Sequence, residues 1–239
     1  MKKSFLLSSK AGMAFMTACL SITLLASCSK KNDPQPEPVG EIKVRAVNAV
    51  GGSVSQDFYI NDMKKGTQPV AYGTSSEYFT VTSGSNVFKF YNAGTTTLSG
   101  SSQNYTVPIG VNVTAFYLQA PNGQFGVLAL GDDTAVPAAG KAKVRFVYFN
   151  RFLATTSVIS VTTVGQSSPL IGALGHLLDP NSQVLSYYTV DPGAKFKFAA
   201  SGITDTPEFD AGLVAGKNYT IWIDGTSSTN LTAHVIVQN

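Results

Sequence analysis

The chain has 239 residues, 44% of them hydrophobic and 13% charged, with a formal net charge of +3. Such a composition excludes an intrinsically disordered chain, which combines low hydrophobicity with high charge. The positive balance, 17 Lys and Arg against 14 Asp and Glu, is confined to the N-terminus and does not describe the rest of the molecule.

Lys2 and Lys3 precede an apolar stretch over 11–26, interrupted only by Gly12, Thr17, Ser21 and Thr23. This is the form of a secretory signal peptide. A retained helical anchor is the other reading, but a spanning helix needs about 20 apolar residues and Lys10, Ser27, Lys30 and Lys31 bound the stretch too tightly. Leu25-Ala26-Ser27-Cys28 resembles the lipobox of bacterial lipoproteins. The resemblance implies a diacylglyceryl group on the Cys28 sulfur, cleavage after residue 27 and acylation of the new amine, which together anchor firmly where one acyl chain binds marginally. Losing residues 1–27 removes Lys2, Lys3 and Lys10, leaving 14 basic against 14 acidic residues. A neutral mature chain without a Lys/Arg stripe among aromatics argues against a nucleic-acid partner. Cys19 leaves with the leader and Cys28 carries lipid, so the mature chain forms no internal disulfide and must fold by burial alone.

Residues 28–39 contain Pro34, Pro36 and Pro38 in a polar segment and read as a semi-rigid tether. From Gly40 onward, short β-branched and aromatic runs alternate with Gly, Asn, Asp, Ser and Pro, the pattern of an all-β protein. An internal repeat divides this region. Gly40-Glu41-Ile42-Lys43-Val44-Arg45-Ala46-Val47 aligns with Gly140-Lys141-Ala142-Lys143-Val144-Arg145-Phe146-Val147, and Phe88-Lys89-Phe90 aligns with Phe196-Lys197-Phe198. Tyr78-Phe79-Thr80-Val81 answers Tyr187-Tyr188-Thr189-Val190, and Gly110-Val111-Asn112 answers Gly216-Lys217-Asn218. Two copies of one fold follow, at 40–131 and 140–239, joined by a linker at 132–139. Strands are expected at 42–49, 57–61, 78–81, 87–91, 104–107, 112–119 and 125–130 in the first copy. In the second they fall at 142–149, 157–163, 184–190, 195–199, 208–211, 218–224 and 233–238, with a brief helical turn within 170–178. Seven strands per copy fit tandem Ig-like β-sandwiches. Alternation assigns Phe88, Phe90, Phe196, Phe198 and Trp222 to the cores, and Lys89, Lys197, Arg45 and Arg145 to solvent-facing sides.

Val44-Arg45-Ala46-Val47-Asn48-Ala49, Asp57-Phe58-Tyr59-Ile60-Asn61 and Val70-Ala71-Tyr72-Gly73 with Tyr78 and the Gly84-led strand are similar to the bacterial family called domain of unknown function 4397. The resemblance is good in the first copy and thinner in the second, where Tyr148-Phe149-Asn150-Arg151-Phe152 replaces the Gly/Ser-rich turn. It implies a sandwich fold, tandem copies and export in Bacteroidota-type bacteria. No catalytic or ligand residue is implied.

Little chemistry is written in the mature sequence. His176 and His234 are its only histidines, which leaves a zinc site of ordinary composition without ligands, and both read as structural or surface residues. There is no G-x-S-x-G elbow. Asp205, Glu208 and Asp210, like Asp132 and Asp133, fall in turns and read as solvated, with a weak calcium site or a hydrolase carboxylate pair as lesser readings. Asp133-Thr134-Ala135 resembles the O-glycosylation acceptor of Bacteroidota-type bacteria, making Thr134 a modification candidate. Tyr72, Tyr78, Tyr148 and Tyr187 are candidates for an aromatic contact surface, set against packing under loops or against the sister domain, the preferred reading. The expectation is therefore a non-catalytic, lipid-anchored outer-membrane protein without cofactor beyond the lipid on Cys28. It presents two sandwiches to a protein or glycan partner. A glycan-binding accessory lipoprotein is the alternative, and a hydrolase the distant third.

Overall fold

The computed structural model describes residues 38–179, 185–203 and 207–239. The leader, Cys28, the tether through residue 37, Val184 and Asp205 lie outside them.

All regular structure is β. In the first half, β1 (Glu41–Asn48), β2 (Gln56–Ile60), β3 (Met63–Val70), β4 (Phe79–Thr82), β5 (Gly84–Asn86), β6 (Phe88–Asn92), β7 (Leu98–Ser101), β8 (Tyr105–Val107), β9 (Asn112–Gln119) and β10 (Phe125–Gly131) follow in order. They form sheets β10-β9-β1-β4 and β3-β2-β6-β7, with β5-β8 as a small third pairing. The second half contributes β11 (Ala142–Tyr148), β12 (Val158–Thr163), β13 (Ile171–Gly175), β14 (Tyr187–Val190), β15 (Lys195–Ala200), β16 (Phe209–Asp210), β17 (Asn218–Asp224) and β18 (Thr232–Val237). Its sheets are β14-β11-β17-β18 and β13-β12-β15-β16, the same two orders again.

The repeat holds at the level of register. Lys43 pairs with Asn112 in the parallel β1/β9 ladder, and Lys143 pairs with Asn218 in the parallel β11/β17 ladder. Val44 faces Phe79 across β1/β4, as Val144 faces Tyr188 across β11/β14. Each half is thus a β-sandwich with four strands in each main sheet, exceeding the seven strands expected. Its first strand lies inside a sheet instead of at an edge.

Besides the short β5 and β7, which the expected strand ranges do not cover, two strands differ from expectation. Residues 171–175 form β13 and not a helical turn, because Leu174 is drawn into the second core while its neighbours pair with β12. Met63–Val70 is a strand that alternation could not reveal, since all but its last residue lie at least partly in solvent. A tight turn delivers it: Asn61 and Asp62 both take positive φ, 48° and 65°, which short polar side chains tolerate best.

Within each sandwich the inward residues make a closed apolar core. Ile42, Val44, Phe58, Phe88, Phe90 and Tyr117 fill the first, and Val144, Phe146, Tyr148, Ile159, Phe196 and Ile221 the second. A third core lies between the sandwiches. Val47, Phe116 and Leu118 from the outer face of one sheet meet Val147, Phe149, Trp222 and Ile236 from the outer face of the other. This explains why β17, Asn218–Asp224, is buried at every residue, although alternate side chains point to opposite faces. Val39–Asn239 accordingly forms one compact unit.

Candidate functional site

The seam between the sandwiches claims most of the residues singled out from the sequence. Arg45 and Arg145, expected in solvent, are buried. They project from the faces that carry Val47 and Val147, and those faces meet each other instead of water. Their contacts are reciprocal. Arg45 Nε donates to Thr114 and its Nη1 to the carbonyl of Val237 in the other sandwich, while the guanidinium lies 4.5 Å over the Tyr78 ring. Arg145 Nε donates to Thr220 at 3.2 Å and Nη1 to the carbonyl of Gly131 at 2.6 Å, with Tyr187 at 5.1 Å.

Asp132, read from sequence as a solvated turn residue, sits at the centre of this arrangement with its side chain 0% exposed. It pairs with Arg145 Nη2 at 3.2 Å and accepts from Tyr78, Thr114 and Gln238 at 2.7, 2.7 and 2.6 Å. Gln238 occupies the corresponding place in the second sandwich and accepts from Tyr187 at 2.7 Å. Of the two buried guanidiniums, Arg145 pairs with Asp132 directly, whereas Arg45 is linked to it through the Thr114 hydroxyl. Burial pulls Arg45 below its ordinary pKa, and its Nη2 has no partner.

The other candidate tyrosines are also engaged in structure. Tyr72 reaches across the seam from the first sandwich to Asp224 Oδ2 at 2.8 Å and His234 Nε2 at 3.2 Å. His234 stacks on Trp222 at 4.8 Å and lies 3.2 Å from Asp224 Oδ1. Burial and the Asp224 carboxylate raise the Tyr72 pKa, and burial with Asp132 raises that of Tyr78, so both phenols stay protonated donors. Tyr148 is wholly inside the second core, where burial pushes its phenol up to about 12. It offers no contact surface. His176 is buried edge-on to Tyr148, and its Nδ1 accepts from the Leu178 amide at 3.2 Å.

Glu208, Asp210 and Asp133, read from sequence as solvated, form ion pairs. Glu208 and Asp210 bridge exposed Lys197 and Lys195, and Asp133 bridges Lys143 at 2.9 Å. Among the described residues no three of His, Cys, Asp and Glu are placed to hold a metal ion. Thr134 is exposed on a turn fixed by Asn218, whose Nδ2 donates to the carbonyls of Asp133 and Ala135.

One open feature collects polar groups that the fold leaves unsatisfied. A cleft of about 410 Å³ lies at one end of the first sandwich, walled by the 50–54 loop, the start of β2, the β6–β7 turn and the ends of β9 and β10, with Arg151 from the second half. Gln56 forms its buried wall, 1% exposed; its Nε2 donates to Val54 O and Asn92 Oδ1, while its Oε1 has no partner. Gln119 Nε2 is tied to Gly123 O at 2.9 Å, and its Oε1 is likewise unpartnered. Arg151 Nη2 reaches Gly51 O at 3.4 Å across the sandwich boundary, but its Nε is unmet. Phe125, 48% exposed, stacks on Tyr117 at 5.8 Å and 15°. Gly100 makes room for the Tyr117 ring, since a Cβ there would stand 3.0 Å from it.

Sequence reading missed this cleft because its residues come from five separate segments without a shared motif. Gln-Ala-Pro-Asn-Gly-Gln-Phe at 119–125 reads only as a hairpin turn.

Fold and cleft together define a class, the tandem β-sandwich protein with a surface cleft. Residues 42–150 match the family model described as Domain of unknown function (DUF4397). The matched region spans the first sandwich, the linker and β11, and so contains Arg45, Asp132 and Arg145 of the seam. No curated protein matches the chain. Among solved structures it is similar to CBMbc, a family CBM26 module from Eubacterium rectale Amy13K, in complex with maltoheptaose. That likeness has 15% identity and a TM-score of 0.27, covering 81% of this chain and 96% of that one.

Proposed function

We propose that this is a non-catalytic binding protein of the cell envelope, anchored in the outer membrane by lipid on Cys28 and using the cleft at Gln56, Gln119, Phe125 and Arg151 to hold a partner. The carrying observation is the grouping of polar side chains and an exposed ring in one open cleft. The cleft brings Gln56 Oε1, Gln119 Oε1 and Arg151 Nε, none with a hydrogen-bond partner, together with the half-exposed Phe125 ring. Buried polar atoms left unpaired cost about 1–3 kcal/mol each, a cost that a ligand can offset. The cleft lining holds no carboxylate, His or Cys to supply acid, base or nucleophile.

The paired sandwiches suit a rigid head on a short Pro-rich tether. Thr134, exposed within Asp133-Thr134-Ala135, is proposed as an O-glycosylation acceptor.

The test begins with Cys28→Ala, expected to move the protein from the membrane to the soluble fraction; retention on membranes overturns the anchor. The released protein is then sedimented with washed cell envelopes, with and without Arg151→Glu. Loss of co-sedimentation in the variant supports the cleft, and equal sedimentation overturns it.

A further inference from the structure

The geometry points to an acidic oligosaccharide as the cleft's ligand, and we propose that it binds a uronate-containing glycan chain, an inference that rests on the cleft being the binding site. Three side-chain amides line it, those of Gln56, Asn92 and Gln119. Each amide carries both donors and acceptors on one plane, the complement of a neighbouring pair of sugar hydroxyls. Two of them have an unmet acceptor, Gln56 Oε1 and Gln119 Oε1.

Phe125 supplies the platform. Its ring is half exposed and backed in near-parallel stacking by Tyr117, which is itself buried. A ring braced in this way loses little entropy when a flat apolar surface settles on it, and the C–H face of a pyranose is such a surface.

Charge sets the class within the sugars. Arg151 is the one formally charged residue in the lining, and no acid balances it there. Its guanidinium is fixed by stacking at 4.5 Å on Phe152 and by the Gly51 carbonyl, while Nε is left without a partner. A guanidinium held in place with an unused donor suits a carboxylate, which it binds through charge-assisted hydrogen bonds. Because the 50–54 loop and Arg151 come from different sandwiches, the cleft is complete only when the seam is closed.

The experiment is calorimetric titration of the Cys28→Ala protein with hexagalacturonate and with maltohexaose, in chelator to exclude calcium bridging. Hexagalacturonate should bind at least about tenfold more tightly than maltohexaose. Arg151→Gln should abolish that difference while Phe125→Ala weakens both ligands. In the unsubstituted cleft, hydrogen exchange should slow over residues 117–125 on adding hexagalacturonate, a reading that does not depend on any variant folding. Equal binding of both sugars, or a preference that survives Arg151→Gln, overturns the acidic assignment. Absence of binding to either sugar, with envelope sedimentation still lost in Arg151→Glu, overturns the glycan assignment and leaves the cleft to another partner. Unchanged sedimentation in Arg151→Glu overturns the cleft itself.

Discussion

Arg45 and Arg145 occupy corresponding positions in β1 and β11, and each donates across the seam to a backbone carbonyl of the other sandwich, Val237 and Gly131. The pairing is that of a two-fold dimer interface, in which one residue and its counterpart exchange contacts, built here within one chain. One break in its symmetry is that Asp132 in the first half corresponds to Gln238 in the second, so that of the two arginines Arg145 alone has a carboxylate as its ion-pair partner.

That asymmetry ranks the seam variants. Arg145→Met strands the Asp132 carboxylate without its ion-pair partner and should cost about 3–5 kcal/mol, the usual penalty for breaking a buried pair. Arg45→Met removes a guanidinium that already leaves one nitrogen unsatisfied, and its cost should be smaller, about 1–2 kcal/mol. Urea midpoints check the order, and equal losses would contradict it.

Tyr72→Phe deletes one hydroxyl that meets Asp224 and His234. The expected loss is about 1–3 kcal/mol, because the buried Asp224 loses a charge-assisted donor while the ring packing is kept. Thermal unfolding measures it, and an unchanged midpoint would show that the cross-seam bond contributes nothing.

His176 makes stability depend on pH. Burial holds its imidazole below the ordinary value near 6.5, with weaker opposing contributions from the carbonyls of Phe149 and Asn150 and from Asp179. The unfolded chain therefore takes up a proton at a higher pH than the folded chain does. Its contribution is fully present above about pH 6.5 and falls as pH drops through that value, until the folded-state pKa is reached. His176→Leu should flatten the stability profile between about pH 7 and 5; an unchanged slope would assign the dependence to other groups.

Glycosylation at Thr134 is testable by intact mass. The native mature protein should exceed its lipid-corrected sequence mass, and Thr134→Ala should remove the excess. Identical corrected masses would dismiss the modification.

Much of the fold was legible in the sequence because β structure alternates. Phe88-Lys89-Phe90 and Phe196-Lys197-Phe198 place their rings inside and their lysines outside, as read. The duplicated registers follow from the matched Gly-Glu-Ile-Lys-Val-Arg and Gly-Lys-Ala-Lys-Val-Arg segments. Hidden strands included Met63–Val70, Leu98–Ser101 and Ile171–Gly175, which show little periodic burial and depend on neighbours to pair with. The cleft was illegible for a related reason. Gln56, Asn92, Gln119 and Arg151 are ordinary polar residues until five segments are folded side by side.

The sequence by itself determined the all-β class, the duplication and the inward face of each main strand. Those properties are local, set by residue order and a period of two. Tertiary structure alone decided what the outward faces meet. Lys89 and Arg45 both stand on the face opposite a core, yet Lys89 remains partly exposed beside Asp62 while Arg45 is buried under a second sandwich. Period-two alternation records that a side chain leaves one core; it carries no information on whether water or another sheet waits on the other side.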